Sequence, residues 1–377
     1  MKIAFDLRRI KNPGIGRYMQ CLVDAVLAQE SEHEFLLVLP PDAQDAVSID
    51  GRRAQKRCCS SRYYSLREQL DLPRILRLHK IDLLHSPHFL LPLVRPCPAV
   101  VTIHDVIYLA CKEDLASWAG RLYYRGMMGA ATRMAARIIT DSEYSKADIV
   151  RRLRVDPARI EVIYPGVSAA FQQVTDSSRL GQVRRKYSIC DEFILYAGIY
   201  KPRKNHAGLL RAFRKLRSGC VDAQLVIAGP VNEGKAELLK LALELGIAGQ
   251  VVFTGHVDDS ELSALYSAAR VYACPSLYEG FGFTVLEAMA CGTPVVCSPE
   301  TSLPEVAGDA ALYADSRNPE EFAGALLRVF SDDALRGELI QKGRRNCRRF
   351  NWDKTAVQTL AVYEQSAGNT TPKAVYA

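Results

Sequence analysis

Long apolar runs are missing from this 377-residue chain; none approaches the ~20 residues that a membrane span needs. The opening MKIAFDLRRI has no apolar core long enough for a signal peptide, because Asp6 interrupts it. Cysteine is present without a pattern. Its eleven copies include one adjacent pair, Cys58 and Cys59, but no C-x-x-C and no Cys/His cluster with zinc spacing. An odd count without an export signal predicts reduced thiols and a cytoplasmic protein. No repeat or low-complexity stretch stands out. No helix-turn-helix, zinc-finger, RNA-recognition or arginine-rich signature points to nucleic acid. What remains, 48% hydrophobic and 24% charged residues, is the balance of a globular chain with room for two or three cores.

The net charge of +7 is unevenly spread. Residues 1–165 carry 25 Lys+Arg against 19 Asp+Glu, a net of +6, which leaves +1 for the rest. Three basic runs contribute: Arg52, Arg53, Lys56 and Arg57; Arg62, Arg67, Arg74, Arg77 and Lys80; Arg121, Arg125, Arg133 and Arg137. Such a surface suits an anionic partner, either a phosphorylated substrate or an acidic membrane face. Solvated helix faces would account for it equally well.

Short apolar runs read as buried parallel strands, and they come in two series. The first is Ile3–Leu7, Phe35–Leu39, Ile81–His85, Val100–His104, Ile138–Asp141 and Ile160–Ile163. The second is Phe193–Ala197, Gln224–Ala228, Val251–Thr254, Val271–Cys274, Pro294–Cys297 and Ala311–Tyr313. Helical spacing between them predicts α/β architecture with two Rossmann-like, doubly wound parallel sheets. The expected domains are 1–170 and 171–350, followed by a helix at 351–365 and a frayed tail at 366–377. Two such domains imply a cleft between them, a usual place for ligands.

Four places carry chemistry. The first is the run Glu279-Gly280-Phe281-Gly282-Phe283-Thr284, continuing to Glu287. Its glycines leave the N–H groups of Phe283 and Thr284 open to an anion at a helix N-terminus. Two carboxylates eight residues apart could hold two sets of sugar hydroxyls. A capped surface helix with two solvated glutamates is the plainer alternative. The second is Tyr200-Lys201-Pro202-Arg203-Lys204-Asn205-His206, after a strand, where clustered cations suit a diphosphate. The third is Asn12-Pro13-Gly14-Ile15-Gly16-Arg17-Tyr18, which resembles a dinucleotide fingerprint but has Met19 where the third glycine belongs. No acidic residue closes the second strand, where Leu39-Pro40-Pro41 stands, so hydride transfer is a poor reading. The fourth is His104-Asp105 at a strand's end; a lone histidine there is more often structural than catalytic.

Taken together these strings resemble the retaining glycosyltransferases of family 4, glycosyl transferase group 1, which have the two-domain GT-B fold. Glu279 and Glu287 match that family's E-x7-E signature. His85-Ser-Pro-His, Thr102-Ile-His104-Asp105, Ser142-Glu-Tyr-Ser145 and Pro202-Arg-Lys-Asn205 are similar to its bacterial O-antigen and exopolysaccharide mannosyltransferases. Many members carry Arg where Ile199 stands here, which leaves Arg203 and Lys204 as the diphosphate cations.

The resemblance implies roles. Lys204 and Arg203 neutralise the donor diphosphate, and Glu287 binds the ribose. Glu279 binds the transferred sugar, with the amides of Phe281, Gly282 and Phe283 close by. His256 and Val257 contact the base, and His104 touches the sugar near O6. Gly14 and Gly16 line the phosphate or acceptor side, with Tyr18 and Asp105 nearby. No D-x-D is present, so no metal and no cofactor is expected. The expected partners are a nucleotide-sugar, GDP-mannose first and UDP-glucose or a UDP-N-acetylhexosamine second, and a saccharide or polyprenyl-diphosphate-saccharide acceptor. The last helix is expected to cross back to the first domain. Trp118, Leu122, Tyr123 and Tyr124 beside Arg121 and Arg125 imply peripheral, salt-sensitive association with the inner membrane face. Sugar-nucleotide epimerases share the architecture but lack the E-x7-E string. A non-catalytic sugar-nucleotide binder would have no use for His104, Lys204, Glu279 and Glu287 together.

Overall fold

The structure, a computed structural model, describes residues 1–368 except 13, 50–52, 62–64, 66, 115, 116, 220, 221 and 231–233. Pro13, Arg52, Arg62 and the end of the tail, 369–377, thus lie outside the described residues. The first series of elements is β1 (Lys2–Asp6), α1 (Ile15–Ala28), β2 (Glu34–Leu39), β3 (Ala54–Cys58), α2 (Glu68–Leu78), β4 (Leu83–Ser86), β5 (Ala99–Thr102), α3 (Ile107–Ala110), α4 (Trp118–Met134), β6 (Arg137–Thr140), α5 (Glu143–Leu153) and β7 (Ile160–Val162). The second is α6 (Ser177–Lys186), β8 (Phe193–Ala197), α7 (His206–Ser218), β9 (Gln224–Ala228), α8 (Lys235–Glu244), β10 (Val251–Gly255), α9 (Asp259–Ala268), β11 (Val271–Cys274), α10 (Phe283–Ala290), β12 (Val295–Cys297), α11 (Leu303–Ala307), β13 (Ala311–Tyr313), α12 (Pro319–Ser331) and α13 (Asp333–Cys347). Helix α14 (Trp352–Gly368) follows.

The chain divides into two compact units. The first joins Met1–Ala110, Leu115–Gly166 and Asn351–Ala377; the second joins Cys111–Asp114 and Val167–Phe350. The division therefore falls at Gly166, where the sequence suggested residue 170. Each unit is built on one parallel sheet, as expected.

The first sheet has the order β3-β2-β1-β4-β5-β6-β7. Its central strands β1, β4 and β5 are buried along nearly their whole length and are mainly apolar, because helices cover both faces. Strand β3 and helix α2 were not foreseen. The sequence of β3, AQKRC, has no apolar run, and the strand stands at the sheet's edge beside β2. Lysine and arginine on an edge strand discourage pairing with another chain. The first basic run is therefore partly structural. Arg53 donates to the carbonyls of Leu27 and Gln29 at the C-terminal end of α1, and Lys56 donates to Gln44 O. Strand β5 ends at Thr102, so His104 stands beyond the strand rather than on it. Helix α14 belongs to this unit. It buries Thr355, Ala356, Thr359, Val362, Tyr363 and Ser366 along one stripe at helical spacing, and Thr355 Oγ1 donates to Tyr164 O at 2.7 Å.

The second sheet has the order β10-β9-β8-β11-β12-β13. On one side Leu209, Phe213 and Leu216 of α7 and Phe322, Leu326 and Val329 of α12 join Ile194, Leu225 and Val271 of the strands in a single core. In both sheets β1 and β8 stand at interior positions, which puts the loops after them beside those of their neighbours at the C-terminal edge. Among the described residues no helix is long and apolar enough to cross a membrane, and no cysteine is in a disulfide.

Candidate active site

In the second unit the site starts from β8. The chain leaves it through a short turn, Pro202–Lys204, closed by Asn205 in the left-handed conformation at φ 53°. Asn205 then caps α7: its Oδ1 accepts from Gly208 N at 3.1 Å, and its Nδ2 donates to Ser316 O at 2.8 Å. Leu277 N donates to Arg203 O at 2.7 Å, which pins the turn to the loop after β11. The Pro-Arg-Lys-Asn string is thus a device for aiming two cations. Lys204 Nζ donates to Glu279 Oε1 at 2.5 Å. Arg203 Nη1 lies 3.8 Å from Glu279 Oε2, and its Nε donates to Asp114 Oδ2 at 2.6 Å. The Lys204 and Glu279 side chains are only 13% and 10% exposed. Burial pushes the pKa of Glu279 up, but the charges of Lys204 and Arg203 outweigh it and hold it below the ordinary 4.5. Glu279 is accordingly a carboxylate.

The backbone around Glu279 is fastened too. Its N–H donates to Thr301 Oγ1 at 2.9 Å, and Ser302 Oγ lies 3.0 and 2.8 Å from the carbonyl oxygens of Glu279 and Phe281. Gly280 and Phe281 continue the loop to Gly282, the N-cap of α10, at φ 113°. The left-handed conformation there favours glycine, and an added Cβ would also press on the Leu303 side chain at 2.9 Å. Helix α10 opens with Phe283 and Thr284. Phe281 packs its ring 5.0 Å from Phe283 and 5.6 Å from Phe350. Glu287 lies on the second turn of α10. It is buried, and its Oε2 accepts from Tyr266 Oη at 3.1 Å. The two glutamates are therefore not solvated surface groups. They belong to two sets: Glu279 with Arg203 and Lys204, Glu287 with Tyr266. Of the remaining donor-side residues, Val257 is buried while the His256 side chain is 81% exposed, 3.5 Å from Asp258.

In the first unit Gly14 is the N-cap of α1. Gly16 is dictated by the loop's own packing, since a Cβ there would fall 2.0 Å from Ile10 O. Tyr18 is buried in α1, with its ring centroid 4.6 Å from that of His104 and 5.6 Å from that of Trp352, edge-on to both. His104 Nδ1 lies 2.7 Å from Asp141 Oδ2, and its Nε2 lies 3.2 Å from Pro87 O. Ser145 Oγ donates to His104 O at 2.9 Å, and Ser142 caps α5 by accepting from Ser145 N. Asp105 Oδ1 accepts from Ile107 N at 2.9 Å and opens α3. Burial pulls the pKa of His104 down, but the charge and hydrogen bond of Asp141, with Asp105 and the Pro87 carbonyl, raise it above 6.5 overall. His85 is packed between Tyr363 and Thr102, and burial together with the His104 charge lowers it to about 3.

Three participants were missed in the sequence: Asp141, Asp114 and Tyr266. Asp141 had a signal, an acid at a strand's C-terminal end just before Ser142. Asp114 and Tyr266 had none. A cavity of about 310 Å³ opens among Asp191, Glu192, Asp222 and Gln224, at the N-terminal ends of β8 and β9. That is the wrong edge of a parallel sheet for a ligand, and its acidic lining repels a diphosphate.

Comparison with known proteins fits this geometry. Residues 184–346 match the model for "Glycosyl transferases group 1" and residues 14–171 match that for "Glycosyltransferase Family 4". The O-antigen chain mannosyltransferase B of Escherichia coli is 32% identical, covering 97% of this chain and all of that one. A D-inositol 3-phosphate glycosyltransferase of Salinispora arenicola is 32% identical over 62% of this chain and 55% of its own length. Sucrose-phosphate synthase from Thermosynechococcus elongatus has the same GT-B fold, with a TM-score of 0.79 at 21% identity over 98% of this chain and all of that one.

Proposed function

We propose a donor, an acceptor class and a mechanism from one premise: the chain belongs to the family 4, group 1 glycosyltransferases and is a hexosyltransferase. The sugar is mannose, carried on GDP, and the acceptor is a saccharide, lipid-linked, in cell-surface polysaccharide assembly. The observation that carries the donor choice is the end-to-end likeness to an O-antigen mannosyltransferase. The geometry supports the chemistry. Lys204 and Arg203 are cations held on a fastened turn, ready to face a diphosphate and to offset charge on the leaving phosphate. Glu279, an ionised acceptor three residues before the N-cap of α10, binds hydroxyls of the transferred sugar. A carboxylate accepts at about four sites, so Glu287 holds ribose hydroxyls beside its bond from Tyr266. Val257 and His256 meet the base, and His104 binds the sugar. The bond from the sugar's anomeric carbon to phosphate breaks while one to the acceptor oxygen forms on the same face. The leaving phosphate takes the acceptor's proton, and configuration is retained. Because the two cations supply the charge, no metal takes part.

A thermal-shift panel of nucleotides tests this. GDP and GDP-mannose at about 100 times Kd are expected to stabilise the protein by about 2.7 kcal/mol, in EDTA as in buffer. Stabilisation by UDP or UDP-sugars alone would replace the mannosyl reading with a glucosyl or N-acetylhexosaminyl one. Glu279→Gln is expected to lose transfer, and strict dependence on Mn²⁺ would remove the metal-free mechanism.

A further inference from the structure

Three histidines lie in or just beyond the C-terminal ends of β4 and β5, and their ring nitrogens meet different chemistry. His88 Nε2 is 2.8 Å from Arg9 Nη1. A guanidinium only donates, so this nitrogen accepts and His88 is neutral. His85 lies between two hydroxyls, 2.6 Å from Tyr363 Oη and 3.0 Å from Thr102 Oγ1, each able to donate or accept. A neutral ring satisfies both. His104 is different. Its Nδ1 faces the Asp141 carboxylate and its Nε2 faces the Pro87 carbonyl. Both partners accept and neither donates. A neutral imidazole would turn one lone pair toward an acceptor, whereas an imidazolium donates to both.

We propose that Asp141 is a positioning residue that holds His104 as an imidazolium, so that His104 acts in transfer as a hydrogen-bond donor through Nε2 and not as a base. The part concerning transfer rests on the glycosyltransferase reading above; the charge state does not. The surroundings are built for it. Thr140 Oγ1 donates to Ile103 O at 2.7 Å and Ser145 Oγ holds His104 O, so the backbone is fastened on both sides of the pair. Asp141 is buried between β6 and the Ser142 cap. The titratable groups around His104 are Asp141 from the end of β6, Asp105 beside it, Tyr18 from α1, and His85 and His88 from β4 and the loop after it. Tyr18 is kept neutral by burial and by Asp141. His85 and His88 are depressed by burial first and by the His104 charge among the lesser causes. Two carboxylates thus face one imidazolium among neutral neighbours. The Pro87 bond, the longer of the two, is the one that a sugar hydroxyl replaces by accepting from Nε2. That hydroxyl must be an acceptor, so this position prefers an oxygen with a lone pair over a cationic or purely donating substituent.

The test is a ¹H–¹⁵N spectrum of the histidine rings in the full chain, with His104 assigned by its loss in His104→Gln. Two protonated ring nitrogens are expected at neutral pH, with a titration midpoint above 6.5. In Asp141→Asn the midpoint is expected to fall by about 1–3 pH units, the size of effect one close opposite charge has. Asp141→Glu, which keeps the carboxylate, is expected to restore most of it and also serves if the asparagine variant does not fold. Turnover is expected to fall as pH rises through the wild-type midpoint, and in Asp141→Asn to fall at correspondingly lower pH, with kcat affected more than donor KM. A singly protonated His104 ring at pH 6.5, an unmoved midpoint in Asp141→Asn, or turnover that rises through the His104 midpoint would each overturn the proposal. The spectra need no donor. If no nucleotide-sugar is turned over, the transferase reading fails and the charge state is still decided.

Discussion

Lys204 and Glu279 are 75 residues apart in sequence and 2.5 Å apart in the fold. Removing one member of a largely buried ion pair strands the other charge, which costs about 3–5 kcal/mol when burial is complete and somewhat less here. Lys204→Met is therefore expected to destabilise the protein by about 3 kcal/mol in chemical denaturation, beyond any loss of transfer. The double variant Lys204→Met, Glu279→Gln is expected to regain most of that loss, and the cycle isolates the coupling. The pH sign follows from Glu279. Its pKa is lowered by folding, so its contribution is full above the ordinary 4.5 and vanishes as pH falls through the lowered value. Additive single and double losses at neutral pH would show that the pair is not coupled. The acids and cations themselves were legible, because E-x7-E and Pro-Arg-Lys-Asn are local strings. Their partners Asp114, Asp141 and Tyr266 were not, because a partner is chosen by which loops meet at a sheet edge.

Among the elements, every strand with an apolar run is legible in the sequence, the edge strands β7, β10 and β13 included, and β3 and α2 are not. Strand β3 is edge, polar and cationic, and α2 carries Pro73 inside and leaves Leu70 exposed, so neither shows the apolar period of its class. Helix α4 bears on the membrane reading. Trp118, Leu122 and Tyr123 are 71%, 64% and 45% exposed on it, with Arg125 and Arg133 also at the surface. Arg53, Lys56 and Arg137 are engaged by backbone carbonyls; exposed cations stand on both α2 and α4, and on α4 they stand beside exposed aromatic side chains. Flotation with anionic vesicles at low salt is expected to carry the wild type, and high salt to release it. Trp118→Ala with Leu122→Ala is expected to weaken binding about tenfold or more, since each large side chain contributes on the order of 1.5–3 kcal/mol when buried in an apolar phase. Failure of the wild type to float would end the membrane reading.

At the scale of the molecule, the first unit is discontinuous: its sheet is covered by α14, which follows the whole second unit in the chain. Tyr363 and Val362 are buried, and Tyr363 Oη lies against His85. Loss of these two side chains alone forfeits several kcal/mol, comparable with a typical domain stability of 5–15 kcal/mol. A chain ending at Phe350 is expected to lose the calorimetric transition of the first unit. The second unit, whose core is continuous from Val167, is expected to keep its transition and its upward shift with GDP. Equal loss of both transitions would show that the units do not fold separately.

The alternation of apolar strands and amphipathic helices, the two sheets, and the strings around Glu279, Lys204 and His104 could all be read along the chain. Each rests on neighbours within about ten residues, where burial and turn chemistry act. The charge state of the site could not. Whether Glu279 is ionised, whether Glu287 is solvated and whether His104 donates or accepts depend on burial and on groups tens of residues away. A desolvated ionisable group takes its state from the few partners that the packed sheet edge sets within hydrogen-bond distance.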